Sequence, residues 1–209
     1  MSAATTTKAA RPGSGPGRPS TGARERILAA ALELLKEDGY ASLTTARVAE
    51  RAGQNKALIS YHFGGKQGLV AEVAEGVATL ITDATRAAIE GVDDLEGLAR
   101  ANLDAIFAVI EADEGIQRVY FDLSSQAVVD PEIGRIMGAM KARFRAVLID
   151  ELAKLGACGG DPARIEAGAV FLIAGVEGLA LERLDRGESA ELAGARELWV
   201  RAVSAVLGD

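Results

Sequence analysis

The chain has 209 residues, of which 49% are hydrophobic, with 23 Lys and Arg against 30 Asp and Glu, one His and one Cys. That length is ample for a packed core. The lone Cys158 excludes an intrachain disulfide and a Cys-rich zinc site, and a free thiol suits a reducing cytoplasm. The longest nearly uncharged apolar run, residues 167–181, contains Glu177 and is shorter than the roughly 18–20 residues of a membrane span. We therefore expect no membrane partner and a cytoplasmic location, since the first twenty residues also lack the apolar stretch of a secretory signal.

Charge is divided unevenly along the chain. Residues 1–70 hold ten Lys and Arg against five Asp and Glu, whereas the remaining 139 residues have a net charge of −12. The overall net charge of −7 therefore conceals a basic N-terminal third that could face a polyanion. The alternative is that this charge only keeps the surface solvated. Charge alone does not distinguish the two, whereas sequence motifs can.

Prolines and glycines divide the chain into helices. Three prolines lie in a Gly/Ser-rich leader, which predicts a flexible basic arm over residues 1–20. No proline occurs from 20 to 130, and apolar residues there recur at three and four, which favours helices over strands. We predict an all-α fold with helices near 22–38, 45–52, 56–63, 66 onward for about six turns, 94–111, 114–126, 131–155, 162–186 and 190–207.

Local signals set several helix ends. Thr44 and Asn55 are predicted N-caps of the two short helices, and Gly39 and Gly53 are predicted stops. Pro131 and Pro162 each follow an Asp, a pair that supplies an N-cap and a first helical residue. The 162–186 segment is apolar almost all round, which predicts a place at the centre of the domain or in a subunit interface.

Two short helices joined by a tight turn form a helix-turn-helix within residues 43–69, LTTARVAERAGQNKALISYHFGGKQGL. This stretch resembles the DNA-binding domain of the tetracycline-repressor (TetR) family at Thr45, Val48, Ala49, Ala52, Gly53, Ile59, His62, Phe63, Lys66 and Leu69. The resemblance covers about residues 22–75, and the remaining helices fit that family's regulatory and dimerisation domain in size and order. It implies a helix-turn-helix DNA-binding domain over 21–66 and a helical ligand-binding and dimerisation domain over 67–209.

The family resemblance also implies the DNA contacts. An α-helix fits the major groove, and its N-terminal side chains reach base edges. Base-edge contact is implied chiefly for Asn55, Lys56 and Leu58, and contact with phosphate or sugar for Tyr61 and His62. Thr44, Thr45 and Lys66 stand at helix N-termini, which attract phosphates. Arg47 adds a positive charge on the preceding helix. The full set of DNA-binding candidates is Arg18, Thr44, Thr45, Arg47, Asn55, Lys56, Leu58, Ser60, Tyr61, His62 and Lys66.

Two positions depart from the family pattern. Ser60 stands where the family usually has Tyr, and Ala46 stands where some members place a base-reading Arg, so fewer base contacts are expected from these helices. Arg18 on the arm could compensate by entering an adjacent A·T-rich minor groove. The alternative is that the arm is only a solvated tail.

Other candidates have simpler interpretations. Ile59 and Phe63 are predicted to be core residues on the inner face of the third helix. His62 lacks nearby ligands at metal spacing, and Cys158 is interpreted as an incidental loop thiol, with a redox sensor as the alternative. We find no nucleophile with a base, no metal cluster and no cofactor loop, so we expect neither an enzyme nor a cofactor or metal.

The leading hypothesis is a homodimeric repressor that a small-molecule ligand releases from a palindromic operator in double-stranded DNA. One short helix makes too few contacts for specificity, whereas two helices held one DNA turn apart read two half-sites. The last two helices would pack across a two-fold axis as a four-helix bundle. Candidates for that seam are Leu172, Val176, Leu179, Trp199, Val203 and Val206, with intrachain core as the alternative.

A small-molecule cavity is expected among the helices from about 94 to 181. Its candidate walls are Phe107, Tyr120, Phe144 and Phe171, together with Phe121, and its candidate polar anchors are Glu177, Gln117 or Asp122. Each has a core or surface position as its alternative. Glu177 is the most diagnostic, because an acid within an apolar helix must be paired, protonated or facing a cavity. It could recognise a cation or an amine, or it could have a structural Arg partner.

The sequence is also compatible with two other functions. The first is an all-helical ligand-binding or partner-binding module without operator specificity, which salt-sensitive but sequence-indifferent DNA binding would favour. The second is an activator that uses the same DNA contacts.

Overall fold

The computed structural model describes residues 22–208, which form nine α-helices and one short 3-10 turn. The α-helices are α1 (Ala23–Ser42), α2 (Thr45–Ala52), α3 (Lys56–Phe63), α4 (Lys66–Ile89), α5 (Leu95–Ala112), α6 (Glu114–Gln126), α7 (Pro131–Lys154), α8 (Pro162–Arg186) and α9 (Ala190–Leu207). The all-α prediction is confirmed, and the predicted ends lie within a few residues of these. The 3-10 turn Ala157–Gly160, between α7 and α8, was not predicted.

The predicted helix caps are confirmed. The side chains of Thr44 and Asn55 accept hydrogen bonds of 3.2 and 2.9 Å from backbone N–H groups in the first turns of α2 and α3. Asp130 and Asp161 cap α7 and α8 in the same way, each ahead of a proline. These caps satisfy N–H groups that have no partner within the helix, so they fix where each helix begins.

Gly39 breaks α1 at the predicted stop. Its backbone is non-helical, with φ 72° and ψ 175°, so the regular helix ends at residue 38 as predicted, and a short helical turn beyond the kink extends α1 to Ser42. The next N–H group, that of Tyr40, donates a 2.6 Å hydrogen bond to Oδ2 of Asp122 in α6. A contact that is distant in the sequence therefore supports the kink.

The helices are arranged around α4. Helices α1, α2 and α3 pack together, α1 and α3 also pack against α4, and α4 packs along α5 and α7. Helix α9 covers α5 and α8, while α8 lies against α7. The buried apolar residues form one continuous cluster, from Ile27 in α1 to Leu207 in α9. Because the α1–α3 group and the rest of the molecule share this core, α4 connects them mechanically.

Helix α8 is buried on one face and open on the other. Leu172, Ile173 and Val176 are buried against neighbouring helices, whereas Phe171 and Leu181 on the opposite face are exposed. The single chain therefore leaves an apolar face of α8 open to solvent. Within residues 22–208, no helix is both long and apolar enough to cross a lipid bilayer.

Candidate DNA-binding surface and effector cavity

Helices α2 and α3 meet at a tight turn. Gly53 ends α2 with a left-handed backbone, φ 60°, and its N–H group donates back to a carbonyl of the last turn. A side chain is disfavoured at that φ, which is why glycine suits the position. Asn55 then caps α3 two residues later. The short connection sets the angle between the two helices.

The inner face of α3 is buried and its outer face is open. Ile59 and Phe63 are buried in the common core, which confirms their prediction as core residues. On the outer face, Lys56, Ser60 and Tyr61 are exposed, and 73% of Tyr61 is open to solvent. The core thus orients α3 so that its first turn and one side project from the molecule.

Two candidate phosphate contacts are engaged inside the chain. The guanidinium of Arg47 donates to the carbonyl oxygen of Ser42 at 2.9 Å and also pairs with Asp38. The Lys66 ammonium donates to the carbonyl oxygen of Tyr40 at 3.2 Å and lies 3.9 Å from the centroid of the Tyr40 ring. Burial lowers the pKa of Lys66. These cations hold α1 to α2 and α4.

The remaining DNA candidates differ in exposure. Asn55 and Thr44 are exposed and use their side chains as caps, while Thr45 and Leu58 are half-buried. The half-buried His62 lies between its neighbours' rings, and its Nε2 atom is buried without a hydrogen-bond partner among the described residues. Arg18 lies outside the described residues.

Five helices surround a small cavity with about 40 Å³ of free volume. Its lining residues are Ala78, Ile81, Thr82, Ile106, Gln117, Tyr120, Met140, Lys141, Phe144, Ile173, Val176 and Glu177. Such a volume holds only a few water molecules, so an effector of ordinary size would have to widen it.

The cavity includes three of the five predicted ligand residues. Tyr120, Phe144 and Glu177 line it, although they lie on three different helices. Phe107 does not, because it is buried beneath the guanidinium of Arg196 in α9, 4.2 Å from its ring centroid. Phe171 also lies elsewhere, on the open face of α8.

The two other candidate polar anchors, Gln117 and Asp122, lie in different places. Gln117 lines the cavity, whereas Asp122 turns to α1 and accepts from Tyr40.

A polar group forms one end of the cavity. The Tyr120 hydroxyl donates to Oε1 of Glu177, and Nζ of Lys141 lies 3.2 Å from the same oxygen. The Lys141 ammonium is also 5.5 Å from the centroid of the Tyr120 ring. Burial, together with the bond to Glu177, raises the pKa of the Tyr120 phenol above its usual range. Glu177 is therefore both paired and facing a cavity.

Sequence reasoning missed Lys141. It follows Met140 and stands three residues before Phe144 on α7, and all three line the cavity. A lysine within an apolar stripe is the signal that could have identified it, because such a residue needs a partner.

Helix α6 joins the cavity to the α1–α3 group. It contributes Gln117 and Tyr120 to the cavity wall, and Asp122 accepts from the Tyr40 N–H group. Asp113, which caps α6, pairs with Lys36 of α1 at 2.6 Å. The same helix therefore contacts both regions.

The predicted dimer residues fall into three groups. Leu172, Val176 and Val203 are buried within the chain, which is the intrachain-core alternative, and Val176 also lines the cavity. Leu179 and Trp199 are half-buried, and Val206 is 55% exposed. Apolar side chains that do face solvent on α8 and α9 include Val170, Phe171, Leu181, Leu198 and Val206.

No cluster of three or more His, Cys, Asp or Glu side chains within residues 22–208 has the arrangement of a metal site. Cys158 is buried, with a left-handed backbone of φ 55° in the 3-10 turn.

Two sequence families match the chain. Bacterial regulatory proteins of the tetR family match residues 27–73, and the C-terminal domain of BetI-type transcriptional repressors matches residues 95–208. The chain is 29% identical over 114 residues to the HTH-type transcriptional regulator BetI 1 of Chromohalobacter salexigens, covering 54% of this chain and 56% of that protein. It is 26% identical over 152 residues to BetI of Cronobacter sakazakii, covering 65% and 72%.

Solved structures share the whole fold. A transcriptional regulator of Streptomyces coelicolor superimposes with a TM-score of 0.71 at 25% identity, over 90% of this chain and 99% of that one. GusR of Salmonella enterica gives 0.75 at 18% identity, over 92% and 98%, a likeness that shows the fold alone.

A helix-turn-helix with an open outer face, joined by a long helix to a helical body, defines a DNA-binding transcriptional regulator. The chain belongs to the TetR family, and the match to the BetI-type C-terminal domain covers more than half of it. The relatives are named as regulators of transcription rather than as enzymes.

Proposed function

We propose that the protein is a homodimeric repressor that binds a palindromic operator through α3 and leaves it when a small molecule enters the cavity. The exposed first turn and outer side of α3 carry the proposal, because they are the part of the helix-turn-helix that can reach base edges. Residues 21–66 would form the DNA-binding domain and 67–209 the effector-binding and dimerisation domain. Its place of action would be the cytoplasm, where bacterial DNA lies.

The proposed base contacts come chiefly from Asn55 and Lys56 at the start of α3. Lys56 is exposed at the first helical residue, where a cation can reach a base edge. Tyr61 is available for phosphate or sugar. Arg47 and Lys66 would act mainly by holding the helix-turn-helix together, since their charged groups already contact α1.

The proposed dimer uses the open faces of α8 and α9. Phe171, Leu181, Leu198 and Val206 present apolar surface that the single chain leaves exposed. Packing these faces across a two-fold axis buries that surface and fixes the distance between two copies of α3. Two half-sites about one DNA turn apart could then be read together.

Effector binding would be transmitted to the DNA-binding helices through α4. Ala78, Ile81 and Thr82 of this helix line the cavity, and its first residue, Lys66, contacts Tyr40 in α1. A ligand that widens the cavity favours a conformer in which α4 and α6 have shifted, which moves the two reading helices relative to each other. Operator affinity then falls.

The test is selection of bound sequences from a random double-stranded DNA pool by the full chain, at about 0.15 M salt. We expect an inverted repeat with half-site centres about 10 base pairs apart. Lys56→Ala should change the preferred base within each half-site, at a cost of about 1–3 kcal/mol for the original site. Arg86→Ala, in the last turn of α4, is the matched control and should recover the same repeat. Binding without sequence preference would overturn the proposal.

A further inference from the structure

The polar end of the cavity is charge-balanced by the protein itself. Lys141 and Glu177 are the charged residues among those lining the cavity, and their Nζ and Oε1 atoms are 3.2 Å apart. About one third of each side chain, or less, is exposed, at 34% and 28%. In a partly buried site, each charge compensates the other. A ligand is not needed to neutralise Glu177.

Gln117 provides an acceptor in the wall of the same cavity. Its residue is 3% exposed, and its Oε1 atom has no hydrogen-bond partner among the described residues. It lies one turn before Tyr120 on α6, and both line the cavity. A buried acceptor without a partner destabilises the structure, so a ligand that donates to it removes that cost.

The rest of the wall is largely apolar. Its side chains include Ile81, Ile106, Met140, Phe144 and Ile173. These residues favour a hydrocarbon or aromatic body, and outside Gln117 and the Tyr120, Glu177 and Lys141 group the remaining polar side chain of the wall is that of Thr82.

We propose that the cavity selects an uncharged, mainly apolar molecule with one hydroxyl or N–H group that donates to Gln117, and that Lys141 determines this preference by neutralising Glu177. The inference rests on the effector cavity of the proposed function and gives the chemical class of the effector. A cationic group would lie beside the Lys141 ammonium, and an anionic group beside the Glu177 carboxylate. Either would leave a partly buried charge without compensation, which is costly.

Three isosteric probes test the charge preference: benzyl alcohol, ethylbenzene and the benzylammonium ion. Each has a phenyl ring and one CH₂ group and differs only in the terminal OH, CH₃ or NH₃⁺. Their dissociation constants are measured by ligand-detected NMR with the full chain in the absence of DNA. We expect benzyl alcohol to bind up to about tenfold more tightly than ethylbenzene, the value of one net hydrogen bond, and benzylammonium to bind most weakly.

Two substitutions should reverse or abolish this order. Lys141→Met leaves Glu177 without its cation, so benzylammonium should gain well over tenfold and become the tightest of the three. Gln117→Leu should remove the advantage of benzyl alcohol over ethylbenzene. Lys141→Arg keeps the positive charge and should keep the original order. Lys154→Met, on the same helix but with an exposed side chain paired to Glu151, is the matched control.

Failure of the proposed effector class can be distinguished from failure of the proposed repressor function. Preference of the natural chain for benzylammonium, or an unchanged order in Lys141→Met, overturns the role of Lys141. Failure of all three probes to bind overturns the ligand class, while DNA selection by the same preparation still reports on operator recognition. If Lys141→Met does not fold by circular dichroism, Lys141→Gln, which also removes the positive charge, replaces it and should give the same gain for benzylammonium.

Discussion

At the scale of single residues, close approaches decide which side chains are tolerated. Gly175 in α8 lies against the indole of Trp199 in α9, and a methyl group added at Gly175 would overlap the indole nitrogen. That nitrogen is buried and has no hydrogen-bond partner in the described part of the chain. Trp199, predicted at the dimer seam, therefore packs against its own α8. Glycine at 175 allows the two helices to come together.

Gly175→Ala should separate α8 from α9 and lower the free energy of unfolding by about 1–3 kcal/mol, because the overlap forces side chains or backbone to shift. Gly138→Ala in α7 is the matched control: nothing lies within 4 Å of its added methyl, so it should raise stability by about 0.5–1 kcal/mol. Urea denaturation at one protein concentration, followed by the fluorescence of Trp199, measures both. Equal effects of the two substitutions would contradict the packing argument.

At the scale of elements, α6 has two sets of contacts on one short helix. Gln117 and Tyr120 face the cavity, whereas Asp113 and Asp122 bind Lys36 and the Tyr40 N–H group of α1. A shift of α6 cannot leave both sets unchanged. This makes α6, together with α4, the element through which cavity occupancy is expected to reach the helix-turn-helix.

Asp122→Ala should expose this connection. The Tyr40 N–H group loses its 2.6 Å acceptor beside the kink at Gly39, so stability should fall by about 1–3 kcal/mol and the Tyr40 amide should exchange faster. Hydrogen exchange detected by NMR measures the amide directly. Asp122→Asn retains an acceptor oxygen and should show a smaller change. Unaltered exchange at Tyr40 in the alanine variant would show that the contact does not hold α1.

The Lys36 and Asp113 pair gives α6 a dependence on pH. The hydrogen bond from Lys36 holds the pKa of the Asp113 carboxyl below its ordinary value of 3.8. Because the folded-state pKa is depressed, the stabilisation is fully present above 3.8 and is lost as pH falls through the folded-state value. Asp113→Asn should therefore flatten the acid side of the stability profile measured by urea denaturation. A profile identical to that of the natural chain would show that the pair contributes nothing measurable to stability.

At the scale of the whole molecule, the α1–α3 group, the cavity and the open faces of α8 and α9 are connected through packed helices, with α4 contacting α1 and α3 and also lining the cavity. Residues 22–66, which include α1–α3, hold seven Lys and Arg against five Asp and Glu, whereas residues 71–209 have a net charge of −12. Excess negative charge that lies mainly outside the helix-turn-helix segment suits binding to a polyanion. Dimerisation through the body would bring two helix-turn-helix segments into one molecule.

Leu198→Glu should convert the dimer to a folded monomer. Leu198 is 63% exposed in the single chain, so a carboxylate there costs little in the monomer but would be buried without a partner in the proposed dimer. Sedimentation velocity reports the change in mass, and the monomer should lose most of its operator affinity. Val128→Glu, in an 86% exposed position after α6, should leave the dimer intact. An unchanged dimer in Leu198→Glu would move the interface away from α8 and α9.

Much of the fold follows from local sequence signals. The caps at Thr44 and Asn55 and the glycine turn at 53 involve groups only a few residues apart, so they define α2 and α3 without tertiary contacts. Periodicity alone also indicates that Ile59 and Phe63 point inward. The family and its DNA-binding element could therefore be predicted from this short segment.

Tertiary structure decided which neighbour each apolar face meets. Periodicity shows that Phe107, Tyr120 and Phe171 lie on apolar faces, but only packing places Tyr120 in the cavity, Phe107 beneath Arg196 and Phe171 on the open face of α8. In the same way, the partner of Glu177 is a lysine 36 positions earlier rather than an arginine. An amphipathic stripe specifies which side of a helix avoids water, but it does not specify which other helix will cover that side. Local order was thus encoded locally, whereas the chemistry of the cavity depends on contacts between residues far apart in the chain.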